Sequence, residues 1–483
     1  MTVLRWRDTS IPQVSPTVWL QGAWLSALLA GCATGGGAAA SPASPDRGAV
    51  APTAPAECRA QALQDGLASQ RLNALLVAAR AGDRGSQERF VADHMASAIR
   101  ERVAIDQVLA DMASRFGLLR AVVVCRVEYE TPHETSVLVA RKQDPTPMRL
   151  RVILEQDAPH GILATRLQPV ATTALTEPLP RLSASERRAI VERLTTKLAD
   201  YIYEGTARQM QRQLRTRLAA GAYDHVTHPQ ALARLLTVDL RRVSKDGHLS
   251  VSYVAGGVPE DLEERREPTQ AEIDAMMAHA RRDQFGFARV DVLEGNIGYI
   301  DLRVFHAAEL ASDAATEVMS KVAGTRALIV DLRRCEGGEP SQIAHITSYL
   351  FGETPVHLND LYFRAEDKRM QFFTKAQVPG KRFGPDKPVY VLTSGYTYSG
   401  GEEFAYNLQT RERATIIGAT TGGGAHPVYR YRIDDHMVLG LPVGRAINPV
   451  TGTNWEGVGV TPDIELPAAQ ALEKAMALIA ERQ

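Results

Sequence analysis

Two spacings of apolar positions run along the chain, one of helical period and one of strict alternation, and where they change the chain divides into parts. From Glu57 to about Val170, two stretches of helical period, Arg59 to Ala81 and Ser86 to Arg115, precede four alternating runs. These runs are Ala121 to Glu128, Thr135 to Arg141, Met148 to Glu155 and Gly161 to Pro169. Turn residues at Thr131-Pro132, Asp144-Pro145 and Asp157-Ala158-Pro159 separate them, which predicts an antiparallel meander. The expectation is a small accessory α+β domain over residues 57–170, with no catalytic cluster of its own.

A linker at Pro178 to Ala184 leads to Ser183-Ala-Ser-Glu186, a helix start, and then to helical periodicity over Arg187 to Gly221 and Pro229 to Val243. The arginines on these helices fall at spacings of a solvated face. Asp246-Gly247 is a turn signal, and Leu249, Val251 and Tyr253 alternate, so His248 stands at a strand entrance. With twelve histidines in the chain, position alone gives His248 no role. Residues 183–260 read as a helical part carrying this histidine, and the charged Glu260 to Arg282 as a connector plus a helix. The interval between His248 and the next strand is too short for an inserted peptide-binding domain.

From Phe285 strands and helices alternate. Ala288 to Leu293, Ile297 to Leu302, Ala327 to Leu332, Val389 to Thr393 and Ala414 to Gly418 read as strands; Ala307 to Val322, Ser341 to Leu350 and Gly401 to Leu408 read as helices. That order predicts an α/β core over 285–470 built on a largely parallel sheet, with ligands at the carboxyl ends of its strands. Val428 to Ile433 and His436 to Pro442 form a hairpin turning at Asp434-Asp435, and an amphipathic helix over 467–483 ends the chain.

Ser399 lies where one of these strands hands over to a helix. The first N–H groups of a helix lack internal partners and carry the positive end of its dipole, so the N–H of Gly400 is placed to stabilise an oxyanion. The ordinary alternative is a helix cap, with Glu402 completing a capping box. Gly337 and Gly338, at the end of another strand, allow close backbone approach and can supply the other half of an oxyanion hole. Gly422-Gly-Gly lacks the lysine and context of a phosphate loop, which argues against a nucleotide site.

With 55 Lys+Arg against 56 Asp+Glu the net charge is -1, which argues against a nucleic-acid partner. No apolar span of about 20 residues follows the N-terminus. Arg5 and Arg7, the apolar Val18 to Ala30 and Leu29-Ala-Gly-Cys32 resemble a bacterial lipoprotein signal over 1–31, with Cys32 acylated and 32–56 a flexible tether rich in Gly, Ala, Ser and Pro. The expected site is then the bacterial envelope, with the chain lipid-anchored to an outer membrane and facing the periplasm. Cys58 and Cys125 can pair in such a compartment, and the cysteine spacing offers no zinc site and suggests no cofactor.

Five motifs in order carry a family resemblance: Asp246-Gly-His248-Leu, Gly298-Tyr-Ile-Asp-Leu302, Asp331-Leu-Arg with Gly337-Gly338, Thr393-Ser394 with Ser399-Gly-Gly-Glu402-Glu403-Phe404, and Glu456-Gly-Val-Gly-Val-Thr-Pro-Asp463. Over roughly residues 183–470 the chain resembles the tail-specific serine proteases, in the branch of the tricorn core protease and interphotoreceptor retinoid-binding protein. The resemblance implies a β/α core of crotonase type with a helical N-terminal part and a small β subdomain. It also implies a serine endopeptidase acting on unfolded or tail-exposed polypeptides through an acyl-enzyme.

No lysine lies between Ser399 and Lys474, which removes the usual serine–lysine pairing of carboxy-terminal processing enzymes. The tricorn branch implies instead Ser399 as nucleophile, His248 as general base and Glu456 as the orienting carboxylate, with oxyanion donors from Gly400 and from Gly337 or Gly338. Gly247 stands where that branch has an auxiliary serine, so the role is unfilled or passes to Ser244 or Asp246. Cys335-Glu336 departs from the usual oxyanion loop, and His426, near the place of the missing lysine, is a rival base. An apolar-ligand carrier on the same scaffold and a small-peptide hydrolase or esterase are the competing functions.

Overall fold

The computed structural model describes residues 58–482 except 103–104, 142–143, 157 and 264–265, so the signal, the tether and Cys32 lie outside the described residues. Four helices open the accessory domain: α1 (Leu67–Ala81), α2 (Arg84–His94), α3 (Ser97–Arg102) and α4 (Ile105–Leu119). Strands β1 (Val122–Thr131), β2 (Glu134–Arg141), β3 (Asp144–Leu154) and β4 (Ile162–Pro169) follow as an antiparallel sheet in the order β1-β2-β3-β4, the expected meander. Leu72, Leu76, Phe90, Phe116, Val139 and Val152 form its own core.

Local periodicity misplaces three boundaries here. The first helix begins at Leu67 rather than Arg59, because the preceding segment is held along β1: Cys58 is disulfide-bonded to Cys125, and Gln61 N donates to Val124 O at 2.8 Å. The second stretch is three helices, since Met95 bridges to Ile162 and Ala96 N donates to Ile162 O at 3.0 Å, diverting the backbone from the helix. Asp144 pairs with Arg141 inside the sheet, so Asp144-Pro145, expected as a turn, belongs to β3.

Helices α5 (Ala184–Lys197), α6 (Glu204–Ala219) and α7 (Pro229–Ser244) form the helical part. Ser183 and Glu186 make the expected capping box at its start. Tyr129 of β1 packs into the same core as these helices, and Glu134 of β2 accepts from Tyr129 Oη at 2.6 Å and pairs with Arg234 of α7. That contact seats the accessory sheet on α7.

The remaining elements are β5 (Ser250–Tyr253), α8 (Gln270–Arg282), β6 (Phe287–Leu293), β7 (Ile297–Leu302), α9 (Ala308–Val322), β8 (Ala327–Asp331), α10 (Pro340–Ser348), β9 (His357–Phe363), β10 (Lys368–Phe373), β11 (Val389–Thr393), α11 (Gly400–Thr410), β12 (Thr415–Gly418), β13 (Val428–Arg432), β14 (Met437–Pro442), β15 (Gly444–Ile447), β16 (Ile464–Glu465) and α12 (Ala471–Glu481). The central sheet has the order β16-β12-β11-β8-β7-β6 and is parallel except for the β6–β7 hairpin. A smaller sheet, β10-β9-β15, comes largely from residues whose pattern announced no element.

The third sheet, β13-β14-β5, positions the site. The predicted hairpin forms, and β5 from the helical part joins it, with Val251 opposite Leu439. Leu236, Leu249, Val330, Val391, Phe404 and Leu439 share one core, so the helical part and the β/α core are packed as one body. The other face of the central sheet is covered by α12, through Ala475 and Ile479 against Ile329 and Leu392. Each such Ile or Leu side chain, fully buried, contributes about 1.5–3 kcal/mol. Among the described residues no helix is long and apolar enough to cross a membrane.

Candidate active site

Strand β11 is buried throughout and ends in a turn tied to the loop after β8. Ser394 Oγ donates to Arg333 O at 2.6 Å, Thr397 Oγ1 to Leu332 O at 2.7 Å, and Tyr398 N to Cys335 O at 3.1 Å. Ser399 then takes φ 53° and ψ -119°, whereas an ordinary cap residue is extended. A non-glycine residue held there stores strain that the surrounding bonds must impose, as in the sharp strand-to-helix elbows that present nucleophiles.

Glu402 is fully buried and does more than cap the helix. Its carboxylate accepts from Ser399 N at 2.8 Å, Thr421 Oγ1 at 2.5 Å, Gly423 N at 2.6 Å and Gly424 N at 2.8 Å. Burial pushes its carboxyl above the ordinary value, against the pull of these donors. The side chain fastens the glycine loop 422–424 to the Ser399 turn.

Gly337 and Gly338 have φ of 112° and 129°, a region closed to most side chains. A Cβ on Gly337 would stand 2.8 Å from Ser399 Cβ, and one on Gly400 would stand 2.8 Å from Gly338 N. The two glycine turns therefore meet backbone to backbone. The carbonyl of Gly337 accepts from Phe305 N at 2.8 Å. Gly338 N and Gly400 N are the amides left side by side.

Asp246 is the hub of the opposite wall. It is 1% exposed and accepts from Tyr201 Oη at 3.1 Å and from His248 N at 2.9 Å. His426 Nδ1 lies 2.7 Å from its Oδ2. Burial opposes ionisation of Asp246, but the hydrogen bond from His426 and the charge of both histidines hold its carboxyl below the ordinary value. Ser244 turns the other way, its hydroxyl accepting from Asp246 N at 3.2 Å.

His248 lies 4.0 Å from Asp246 Oδ1 through Nδ1, which is buried and without a hydrogen-bond partner. The ring packs at 4.7 Å on that of Tyr398, and Gly424 leaves room for it, since a Cβ there would come within 2.5 Å of His248 Cε1. Burial lowers its pKa to about 4. Glu456 Oε2 accepts from Ala425 N at 2.6 Å and lies 3.5 Å from His426 Nδ1; burial raises its pKa to about 7.

Ser399, His248 and His426 line one cavity of about 460 Å³, together with Gly338 and Gly400. Glu456 adjoins through the Asp246–His426 cluster. Asp246, His248 and Glu456 each offer a possible ligand atom within 4.8 Å of the others. Two of those side chains already accept hydrogen bonds from His426 and Ala425. The sequence reading brought forward Asp246 and His426 only as auxiliary and rival groups, whereas the fold joins them directly. It missed Tyr398 and the anchoring role of Glu402; the S-x-x-E spacing was the available signal for the latter.

Peptidase family S41 matches residues 296–466, and the N-terminal domain of peptidase S41 in eukaryotic IRBP matches residues 181–292. The chain belongs to peptidase family S41, a family of serine peptidases. It is 29% identical over 177 residues to a carboxy-terminal-processing protease of Bartonella bacilliformis, a match spanning 36% of this chain and 39% of that protein. Among solved structures, a lipoprotein from Streptococcus agalactiae is similar at 13% identity and TM-score 0.41, over 64% of this chain and 100% of that one. The tricorn protease is similar at 13% identity and TM-score 0.41, over 74% of this chain and 41% of that one.

Proposed function

We propose that this chain is a serine endopeptidase of the bacterial envelope, held to the membrane by a lipid on Cys32 and cleaving unfolded or tail-exposed polypeptides through an acyl-enzyme. The observation that carries the reading is the strained Ser399 turn meeting the Gly338 and Gly400 amides in the same cavity as His248. In this mechanism Ser399 Oγ attacks the scissile carbonyl while His248, neutral because burial depresses its pKa, takes the proton. Asp246 Oδ1, at 4.0 Å from His248 Nδ1, is the carboxylate toward which the imidazolium closes as it forms. Gly338 N–H and Gly400 N–H receive the oxyanion. His248 returns the proton to the leaving amine, and a water activated by the same imidazole releases the acyl group.

His248 is the base on this reading because His426 Nε2, the nitrogen that would have to take the proton, already lies 3.4 Å from Tyr203 Oη, while its Nδ1 is held by Asp246. Glu456 supports the His426–Asp246 pair and, through it, His248. Intact-mass labelling by a fluorophosphonate tests the assignment. Wild type is expected to gain one adduct, lost in Ser399→Ala and His248→Ala and retained in His426→Ala. A folded wild type that neither labels nor cleaves unfolded protein would return the chain to the carrier reading.

A further inference from the structure

Two carboxyl groups in the Ser399 cavity have no part in the mechanism above. Glu403 stands in the first turn of α11, four residues after Ser399, and lines the same cavity. It is 5% exposed yet lines the cavity, and the side chains facing it are the neutral amides of Asn359 and Asn407. Glu339 follows Gly338 directly; it lines the same cavity and keeps a buried Oε2 without a hydrogen-bond partner. Among the described residues no salt bridge is found for either carboxyl; Arg430, a buried cation, also lines the cavity.

We propose that Glu403 and Glu339 form a recognition pocket for a lysine or arginine side chain immediately before the scissile bond. The proposal rests on the reading of Ser399 as the acylating nucleophile. A substrate whose carbonyl sits over Ser399, with its oxygen between Gly338 and Gly400, has its preceding side chain beside both carboxyls. A four-carbon stem or a guanidinium spans one helical turn, and a shorter side chain does not. Pro340 and Leu361 line the same cavity and give the stem apolar surface.

The energetics favour a cationic occupant. Burial raises Glu403 to about 7 and Glu339 to about 8, the latter also through the negative charges of Glu309 and Glu403. Unpaired buried carboxyls are costly, and a cation between them relieves desolvation and mutual repulsion together. A neutral side chain relieves neither.

The full chain tests this with peptidyl diphenyl phosphonates that differ only in carrying lysine or norleucine at the first position, read by intact mass, and with fluorogenic peptides carrying arginine or citrulline there. Expected in wild type is a preference of about tenfold or more for the charged member of each pair. In Glu403→Gln and Glu339→Gln that ratio is expected to fall toward unity. The wild-type ratios stand alone if a variant does not fold. Labelling of Ser399 with equal or better reaction of norleucine and citrulline would overturn the pocket while leaving the nucleophile. Absence of any labelling or cleavage would overturn both.

Discussion

Asp246 and His426, 180 positions apart in sequence, meet at 2.7 Å in a site from which water is nearly excluded. The same carboxylate accepts the backbone N–H of His248, so one buried charge fixes both imidazoles. Asp246→Asn is therefore expected to lower kcat/KM by about 10²- to 10⁴-fold, with His248→Ala at the upper end. His426→Ala should be milder, since it removes a support and not the base. Steady-state kinetics of the three variants on one unfolded substrate, with circular dichroism to confirm folding, checks the order.

The pH dependence should follow Glu456 and not a free histidine. His248, depressed to about 4 by burial, is already neutral through the range in which an ordinary histidine titrates. Glu456, raised to about 7, changes charge near neutrality. The acid limb of kcat/KM is expected near pH 7 as an apparent value of the coupled cluster. Glu456→Gln should shift that limb downward. In stability the sign is opposite: the folded protein retains this proton between pH 4.5 and 7 while the unfolded chain releases it, so the contribution of Glu456 falls as pH rises through that window.

Glu402→Ala leaves three backbone amides and the Thr421 hydroxyl without their acceptor in a buried place. A loss of roughly 3 kcal/mol or more in unfolding free energy is expected, read from urea midpoints. Glu402→Gln keeps the shape but replaces an acceptor oxygen by a donor, so it should lie between the two.

Cys125→Ser opens a bridge that closes a sequence separation of 67 residues. Destabilisation of about 2–4 kcal/mol is expected, confined to the accessory domain because both cysteines lie there. Limited proteolysis should then cut before Leu67 while the β/α core stays intact.

Much of this fold was legible because its elements are strongly patterned. The parallel strands ending at Asp331 and Thr393, the hairpin at Asp434-Asp435 and the Ser183 cap sit within a residue or two of their predicted places. The β9–β10 hairpin was illegible: its strands mix Asn359, Asp360, Arg369 and Gln371 with apolar residues, and their buried side is set by packing against distant segments. The broken helix at Met95-Ala96 likewise depends on a partner, Ile162, that local periodicity does not reveal. At the site, the motifs gave the residue types in order. What they did not give was the joining of the two histidines through Asp246, because that pairing depends on β5 docking beside β14.

That docking has a consequence for the life of the chain. The segment bearing Asp246 and His248 leaves the ribosome well before the one bearing Ser399, and the glycine loop with His426 comes later still. Until β14 is made and receives β5, Asp246 has no His426 to hold and no cavity encloses the serine. The proposed site is thus assembled last, when segments far apart in the chain have docked.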